Sequence, residues 1–137
     1  MGTDAQAFLR QWHRIAAERD IAAIEGLLAE GVSLGAPPYW TKLQGRRMVN
    51  HLLGLILQTI EGFTYHRQWT DGAELALELT GRVGDLDVQG IDLISLDDQN
   101  KVRNIDVMIR PVNAVIALQK IISPKMEAFL KGGAAGG

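Results

Sequence analysis

The chain has 137 residues, of which 47% are hydrophobic and 22% are charged, and its formal net charge is −2. This length suits one domain with a sizeable core, and the weak charge excludes the basic surface of proteins that bind nucleic acids or anionic membranes. No cysteine is present, which excludes disulfides, thiolate nucleophiles and zinc–thiolate sites.

The first part of the chain is predicted to be mainly helical. Apolar residues recur at helical spacing after Thr3 or Asp4, and Asp20 is a candidate N-cap for a second helix in "IAAIEGLLAEG". The segment "VSLGAPPYW" is predicted to form a short strand that is broken at the Pro37-Pro38 pair. The helical pattern returns in "GRRMVNHLLGLILQTIEG", which predicts a third helix.

The apolar period changes to two after Gly62, which predicts four strands in "FTYHRQWTD", "AELALELTGRV", "LDVQGIDLISLD" and "KVRNIDVMIRP". Asp71-Gly72, Gly84-Asp85 and residues 97–100 have hairpin-turn chemistry, so the strands should pair as an antiparallel meander. The segment "VNAVIALQKIISPKMEAFL" is predicted to form a closing helix that Pro124 ends or kinks.

This order of elements predicts a single α+β domain over residues 1–131, with helices on one face of a curved sheet, and a flexible Gly/Ala tail over 132–137. The N-terminus lacks the basic region and apolar core of a signal peptide, and no apolar run approaches the roughly 18 residues of a membrane span. We therefore expect a cytoplasmic protein without membrane contact.

Two charged residues, Asp106 and Arg110, interrupt the last apolar strand, where an unpaired charge is costly to bury. If Leu96 and Val102 point the same way across the turn that joins them, alternation places four neighbouring side chains on one concave face. They are Asp92, Asp106, Met108 and Arg110.

The opposite face is predicted to be aliphatic and to form the contact between two copies in a homodimer. It would contain Ile91, Leu93, Ile105, Val107 and Ile109. Extending the alternation through the earlier turns places His66 on the Asp92 face and Tyr65 on the opposite face. A one-residue bulge would exchange the two faces.

Several segments resemble the nuclear transport factor 2-like superfamily, and within it the SnoaL-like branch of polyketide-cyclase-type proteins. They are "ERDIAAIEGLLAEGV", the proline after the first short strand, "GRRMV", and "GIDLISLD" followed by "KVRNIDVMIRP". The resemblance implies a cone-shaped barrel of a curved, mostly antiparallel sheet with helices packed on its concave face around a pocket. It leaves the activity open, because the superfamily includes isomerases, dehydratases, cyclases, epoxide hydrolases and non-catalytic binding modules.

The enzymes of this superfamily suggest different roles for the charged residues. The ketosteroid isomerase type places a base Asp just before the proline, where this chain has Gly35 or Ala36, so the resemblance argues against that activity. The epoxide-hydrolase type uses an Asp-Arg-Asp arrangement, for which Asp92, Asp106 and Arg110 have the right residue types without a position-by-position match. The cyclase type uses an acid–base Asp on a late strand, a role open to Asp92 or Asp106.

The candidate catalytic group is therefore Asp92, Asp106 and Arg110, since neighbouring carboxylates raise each other's pKa and a guanidinium can orient a carboxylate or an anionic ligand oxygen. The alternative is a salt bridge that closes the sheet onto the last helix. Candidate ligand contacts are Tyr39, Trp40, Met108, His66 and His13. For each of them the alternative is ordinary core packing or an exposed side chain. The histidines lack metal-ligand spacing and no cofactor motif is present, so neither a metal nor a cofactor is expected.

Two functions remain open from the sequence. The first is a cofactor-free isomerase, cyclase or hydrolase that acts on a cyclic or carbonyl-bearing molecule by Asp acid–base chemistry. The second is a non-catalytic module for ligand binding or dimeric interaction. In both cases the expected partners are a small apolar or cyclic organic ligand and a second copy of the chain, with no nucleic acid.

Overall fold

The computed structural model describes the backbone of residues 4–136 and the side chains of residues 4–132. Three α-helices and six strands make up this part of the chain. In chain order they are α1 (Ala5–Glu18), β1 (Leu28–Gly35), β2 (Leu43–Gln44), α2 (Arg46–Thr59), β3 (Glu61–Asp71), β4 (Glu74–Val83), β5 (Leu86–Leu96), β6 (Val102–Arg110) and α3 (Val112–Gly136).

All six strands form one curved sheet in the order β2-β1-β6-β5-β4-β3. Strands β3 to β6 pair with their neighbours in antiparallel fashion, which confirms the predicted meander. Strand β1 runs parallel to β6, so the sheet is mixed. The predicted α+β cone is confirmed, and we call the sheet face covered by the helices the inner face and the other the outer face.

The predicted second helix is wrong. Residues 21–27 form only two short 3-10 helices, Ile21–Ala23 and Glu25–Leu27, before the chain extends into β1. Asp20 makes no side-chain cap there. Leu28 is buried and already pairs with β6, so the sheet requires an extended backbone where the local apolar pattern favours a helix.

The pairing of β5 with β6 contains a bulge that decides which side chains share a face. Leu96 pairs with Val102, as the sequence predicts, but Ser95 pairs with Asn104. Arg103 is therefore an extra residue on β6, and every later residue of this strand faces the side opposite to the predicted one.

The closing helix runs on through Pro124. Its buried residues Ala114, Leu118 and Ile122 pack in a cluster that includes Ile60 at the end of α2. A second core lies between α1 and the sheet, and two cavities are lined by residues of these cores.

None of the described helices combines the length and the apolar composition that crossing a bilayer requires. The single domain over 1–131 stays a prediction. The flexible tail over 132–137 also stays one, because Gly137 and the side chains after Gly132 lie outside the described residues.

Candidate functional site

Asp92 lies on the inner face of β5 and is only 5% exposed. Its cross-strand neighbours are Leu77 and Val107, so no charged side chain stands beside it in the sheet. Tyr65 on β3 donates its hydroxyl hydrogen to Asp92 Oδ2 at 2.6 Å. Trp12 on α1 donates its indole N–H to the Tyr65 hydroxyl oxygen at 2.9 Å. We call this hydrogen-bonded chain the Trp12–Tyr65–Asp92 relay.

A bulge in β3 explains why Tyr65 points inward instead of outward as predicted. Tyr65 pairs with Leu79 and Gln68 pairs with Leu77, so the register changes between them. Since Leu77 and Leu79 share a face, the extra residue puts both Tyr65 and Gln68 on the inner side. Phe63 packs edge-on against the Tyr65 ring at a centroid distance of 5.0 Å and holds it there.

The surroundings of Asp92 shift its pKa. Burial raises its pKa to about 6, and the hydrogen bond from Tyr65 opposes this shift by stabilising the ionised form. Burial and the nearby Asp92 charge raise the pKa of Tyr65 well above its ordinary value, so Tyr65 remains a hydroxyl donor. A carboxyl group with a pKa in this range is suited to general acid–base chemistry near neutral pH.

Asp92 lines a small chamber of about 40 Å³ under α1 and α2. Within the described residues its carboxyl accepts a hydrogen bond from Tyr65 alone, through Oδ2, which leaves Oδ1 available. A chamber of this size has room for a water molecule or the oxygen-bearing end of a ligand, although not for an organic molecule as a whole.

A larger cavity of about 400 Å³ lies between the sheet, α2 and α3. Ile56, Val107 and Ile109 line both spaces, so the cavity and the Asp92 chamber are neighbours that share an aliphatic wall. The Tyr39 hydroxyl oxygen accepts a hydrogen bond from Gln119 Nε2 at 2.8 Å, which ties the loop after β1 to α3. The size and the mainly apolar lining suit a small organic ligand.

The predicted grouping of Asp106, Met108 and Arg110 with Asp92 is wrong. Because of the β6 bulge, these three side chains lie on the outer face, and Asp106 pairs across the strands with Leu93. The two carboxylates are thus on opposite sides of the sheet and cannot perturb each other as neighbours. The Asp-Arg-Asp arrangement expected for an epoxide-hydrolase type is therefore not formed.

Asp106 instead takes part in a network of polar contacts on the outer face. Lys42 Nζ lies 3.0 Å from its Oδ1, and Asn104 Nδ2 donates to its Oδ2 at 3.1 Å. Asn104 Oδ1 in turn accepts from the Ser33 hydroxyl at 2.6 Å. These contacts tie β1, β6 and the segment before β2 together. Asp106 is thus in a salt bridge, as the structural alternative proposes, but its partner is Lys42 and not a residue of the last helix. Arg110 is exposed at the end of β6.

Tyr39 and Trp40, the two aromatic residues predicted to line the pocket, differ in the spaces that they line. Tyr39 lines the larger cavity and also an open cleft that it shares with Trp40 and Met108, whereas Trp40 is 96% exposed and lines the cleft without reaching the cavity. Met108 is 55% exposed there. Of the three, Tyr39 alone reaches the cavity beside the Asp92 chamber.

The two candidate histidines also differ in position. His66 was expected on the Asp92 face, but its Nε2 lies 2.6 Å from Thr80 Oγ1 in an exposed contact on the outer face. The β3 bulge causes this error. His13 lies edge-on to the Tyr65 ring at 5.5 Å, and its Nε2 is 2.6 Å from Gln68 Oε1, so it contacts the relay from outside the chamber.

The aliphatic face predicted for a homodimer does not exist as one surface. Ile91 and Leu93 lie on the outer face and are about one-third exposed, whereas Ile105, Val107 and Ile109 face the interior. The outer face still has exposed apolar residues, so dimer formation stays a prediction with a different set of contacts.

The sequence reasoning missed Trp12 and Tyr65. One signal was available for Trp12, which occupies an apolar position on an amphipathic helix where its N–H requires a hydrogen-bond acceptor.

The described residues contain no group of three or more His, Asp or Glu side chains placed to hold a metal ion.

A scan against protein-family models finds no match, and a search of curated proteins finds none either. Solved structures do match. A steroid delta-isomerase from Pseudomonas aeruginosa is 32% identical over 93% of this chain and 94% of its own, with a TM-score of 0.86. An uncharacterised protein with a cystatin-like fold from Silicibacter pomeroyi DSS-3 is also 32% identical, over 93% of this chain and 88% of its own, with a TM-score of 0.81.

A more distant neighbour is an NTF2-like protein of unknown function from Mesorhizobium loti. It is 17% identical over 77% of this chain and 90% of its own, with a TM-score of 0.68. At this identity the likeness concerns the fold alone.

Proposed function

The chain belongs to the nuclear transport factor 2-like superfamily, and we propose that its cone binds a small apolar, carbonyl-bearing or cyclic molecule on which Asp92 acts as the acid–base group. The observation that carries this proposal is a buried carboxyl, with a pKa of about 6, in a chamber that adjoins a 400 Å³ apolar cavity. The likeness to a steroid delta-isomerase supports a reaction of the isomerase type. The base would here be Asp92, because this chain has Gly35 and Ala36 where the ketosteroid isomerase type has its base Asp.

A single carboxyl group can perform both halves of such a reaction. Ionised Asp92 removes a proton from the carbon between a carbonyl group and a double bond, which leaves a dienolate. The resulting carboxylic acid returns the proton to the far end of the dienolate, so that a conjugated ketone forms and the carboxylate is restored. Since Tyr65 occupies Oδ2, Oδ1 is the atom that carries the proton. No cofactor or second substrate is needed.

A cyclase-type reaction is the nearest alternative chemistry, because it also requires one acid–base Asp on a late strand. Non-catalytic binding is the second candidate function, and the end of β1 favours it. Gly35 and Ala36 offer no carboxylate there, and a Cβ atom on Gly35 would lie 2.5 Å from Asp106 Oδ1. In a binding module, protonated Asp92 would donate a hydrogen bond to a ligand carbonyl oxygen and leave the ligand unchanged.

Turnover can be measured with a panel of β,γ-unsaturated cyclic ketones, since formation of the conjugated ketone changes the ultraviolet absorbance. We expect Asp92→Asn to abolish turnover and Asp106→Asn, the matched control on the outer face, to retain it. Turnover that survives in Asp92→Asn contradicts the assigned role. Ligands that stabilise the wild-type protein in thermal-shift assays and are recovered unchanged support the binding module instead.

Ligand occupancy of the larger cavity can be tested separately. Ser123 lines the cavity from α3, whereas Lys120 on the same helix is exposed and does not line it. Ser123→Phe should fill the cavity and remove the thermal shift caused by ligands, and Lys120→Phe should leave that shift in place. Equal ligand responses in the two variants would exclude this cavity as the binding space.

A further inference from the structure

Trp12 lies on the buried side of α1 with its ring stacked on Phe8, at a centroid distance of 5.3 Å and an interplanar angle of 24°. Its N–H donates to the hydroxyl oxygen of Tyr65 at 2.9 Å. Because an indole N–H only donates, the Tyr65 oxygen must accept this bond, and the Tyr65 hydrogen must point elsewhere. It points to Asp92 Oδ2, which is 2.6 Å away.

We propose that Trp12 is a positioning residue for Asp92, which fixes the direction of the Tyr65 hydroxyl group and strengthens the hydrogen bond that this hydroxyl donates to the carboxylate. Hydrogen bonds in a chain polarise one another, so donation from Trp12 makes Tyr65 a better donor. A stronger bond to the ionised carboxylate favours ionisation and opposes the effect of burial. The importance of this tuning for a ligand rests on the proposed function.

Among the described residues, the Asp92 side chain hydrogen-bonds with Tyr65 alone. Strands β4 and β6 present Leu77 and Val107 beside it, and α2 presents aliphatic side chains to the chamber. On α1, the nearby titratable group is His13, which contacts the edge of the Tyr65 ring and the side chain of a glutamine. Any effect of the Trp12 indole N–H on the carboxyl should therefore pass through the Tyr65 hydroxyl.

The wild-type protein without ligand provides the first test. Trp40 and Trp69 are exposed, so their indole signals serve as references and can be assigned with Trp40→Phe and Trp69→Phe. In spectra of the indole N–H groups recorded from pH 4 to pH 8, the Trp12 signal should move with the same midpoint as the carboxyl carbon signal of Asp92. A Trp12 signal that stays constant through that midpoint overturns the proposal.

Two variants and their combination provide the second test. Trp12→Phe keeps an aromatic ring against Phe8 and removes the N–H, whereas Tyr65→Phe removes the hydroxyl group. Each should move the midpoint of the Asp92 carboxyl signal to higher pH, with the larger shift in Tyr65→Phe. Adding Trp12→Phe to Tyr65→Phe should cause no further shift. Equal shifts caused by Trp12→Phe with and without the hydroxyl group would mean that Trp12 acts by burial alone, and would overturn the proposal.

These titrations are measured without ligand, so their outcome is separate from that of the turnover assay. Loss of the relay would leave the acid–base role of Asp92 standing. Failure to detect turnover would leave the relay standing as a property of the folded chain.

Discussion

Replacing Asp92 with asparagine should stabilise the fold at neutral pH. Burial raises the pKa of this carboxyl from 3.8 to about 6, so the folded chain holds a proton that the unfolded chain has released between these two values. Stability therefore decreases as the pH rises through this window. Above it, the ionised side chain costs about 3 kcal/mol, at about 1.4 kcal/mol per pKa unit. Asparagine keeps an oxygen for the Tyr65 hydroxyl and has no charge to bury.

Urea and thermal unfolding at pH 4 and pH 8 measure this difference. The Asp92→Asn variant should match the wild-type protein near pH 4 and exceed it at pH 8 by up to about 3 kcal/mol, or on the order of 10 °C in Tm. Asp106→Asn is the matched control, because its carboxyl lies on the outer face beside Lys42, and it should keep the wild-type decrease between pH 4 and pH 6. An Asp92→Asn variant with the same pH dependence as the wild type would refute the reasoning.

Three further changes test other parts of the structure. Glu78→Gln should lower Tm at pH 7, because a hydrogen bond from Arg67 lowers the pKa of Glu78 to about 2; the wild-type advantage should fade as the pH falls from about 4.5 towards that value. Gly35→Ala should destabilise the fold by no more than about 1 kcal/mol in urea unfolding, since its Cβ would displace the end of the Asp106 side chain from Lys42, and this cost should disappear when Asp106→Ala is added. Leu93→Glu should convert the expected homodimer to a monomer in analytical ultracentrifugation, and a monomeric wild-type protein would contradict that expectation.

The meander was predictable because its signals are local. Asp71-Gly72, Gly84-Asp85 and the turn at residues 97–100 each join two alternating strands, and each turn in the structure connects the strands expected. The parallel pairing of β1 with β6 joins segments that are far apart in sequence, and no local pattern indicates it.

The predicted orientation of the side chains on β6 was wrong for a reason that a single sequence does not reveal. Alternation assigns every residue of β6 from the turn onward, so one extra residue at Arg103 reverses the whole strand. The prediction therefore placed Asp106 and its neighbours on the inner face and Ile105, Val107 and Ile109 on the outer face. The structure shows the reverse. Composition alone favours the aliphatic set for the inner face, because Met108 is the one apolar member of Asp106, Met108 and Arg110. The expected homodimer offered the aliphatic set a second place to be buried, so burial did not distinguish the inner face from the outer face.

The predicted second helix was wrong because the local preference for a helix competed with strand pairing in the sheet. The segment after Asp20 has the apolar spacing of a helix, yet Leu28 and Val32 are needed in the core beneath α1 as part of a strand. Burial of these two side chains depends on pairing with β6, which supplies the edge on which β1 can form. Tertiary contacts thus decided the backbone conformation.

Three carboxylates of the sheet differ in their burial and in their partners, and this difference helps to identify which of them is a candidate for function. Glu78 and Asp106 face cations, Arg67 and Lys42, and these contacts offset the loss of hydration. Asp92 is buried against aliphatic side chains and accepts a hydrogen bond from a neutral hydroxyl, so its ionised form lowers stability at neutral pH. A polar side chain that weakens the fold in an otherwise apolar interior requires an explanation other than stability. That reasoning favours Asp92 over Asp106 as the group that acts on a ligand, although the two are indistinguishable by residue type and by the apolar pattern around them.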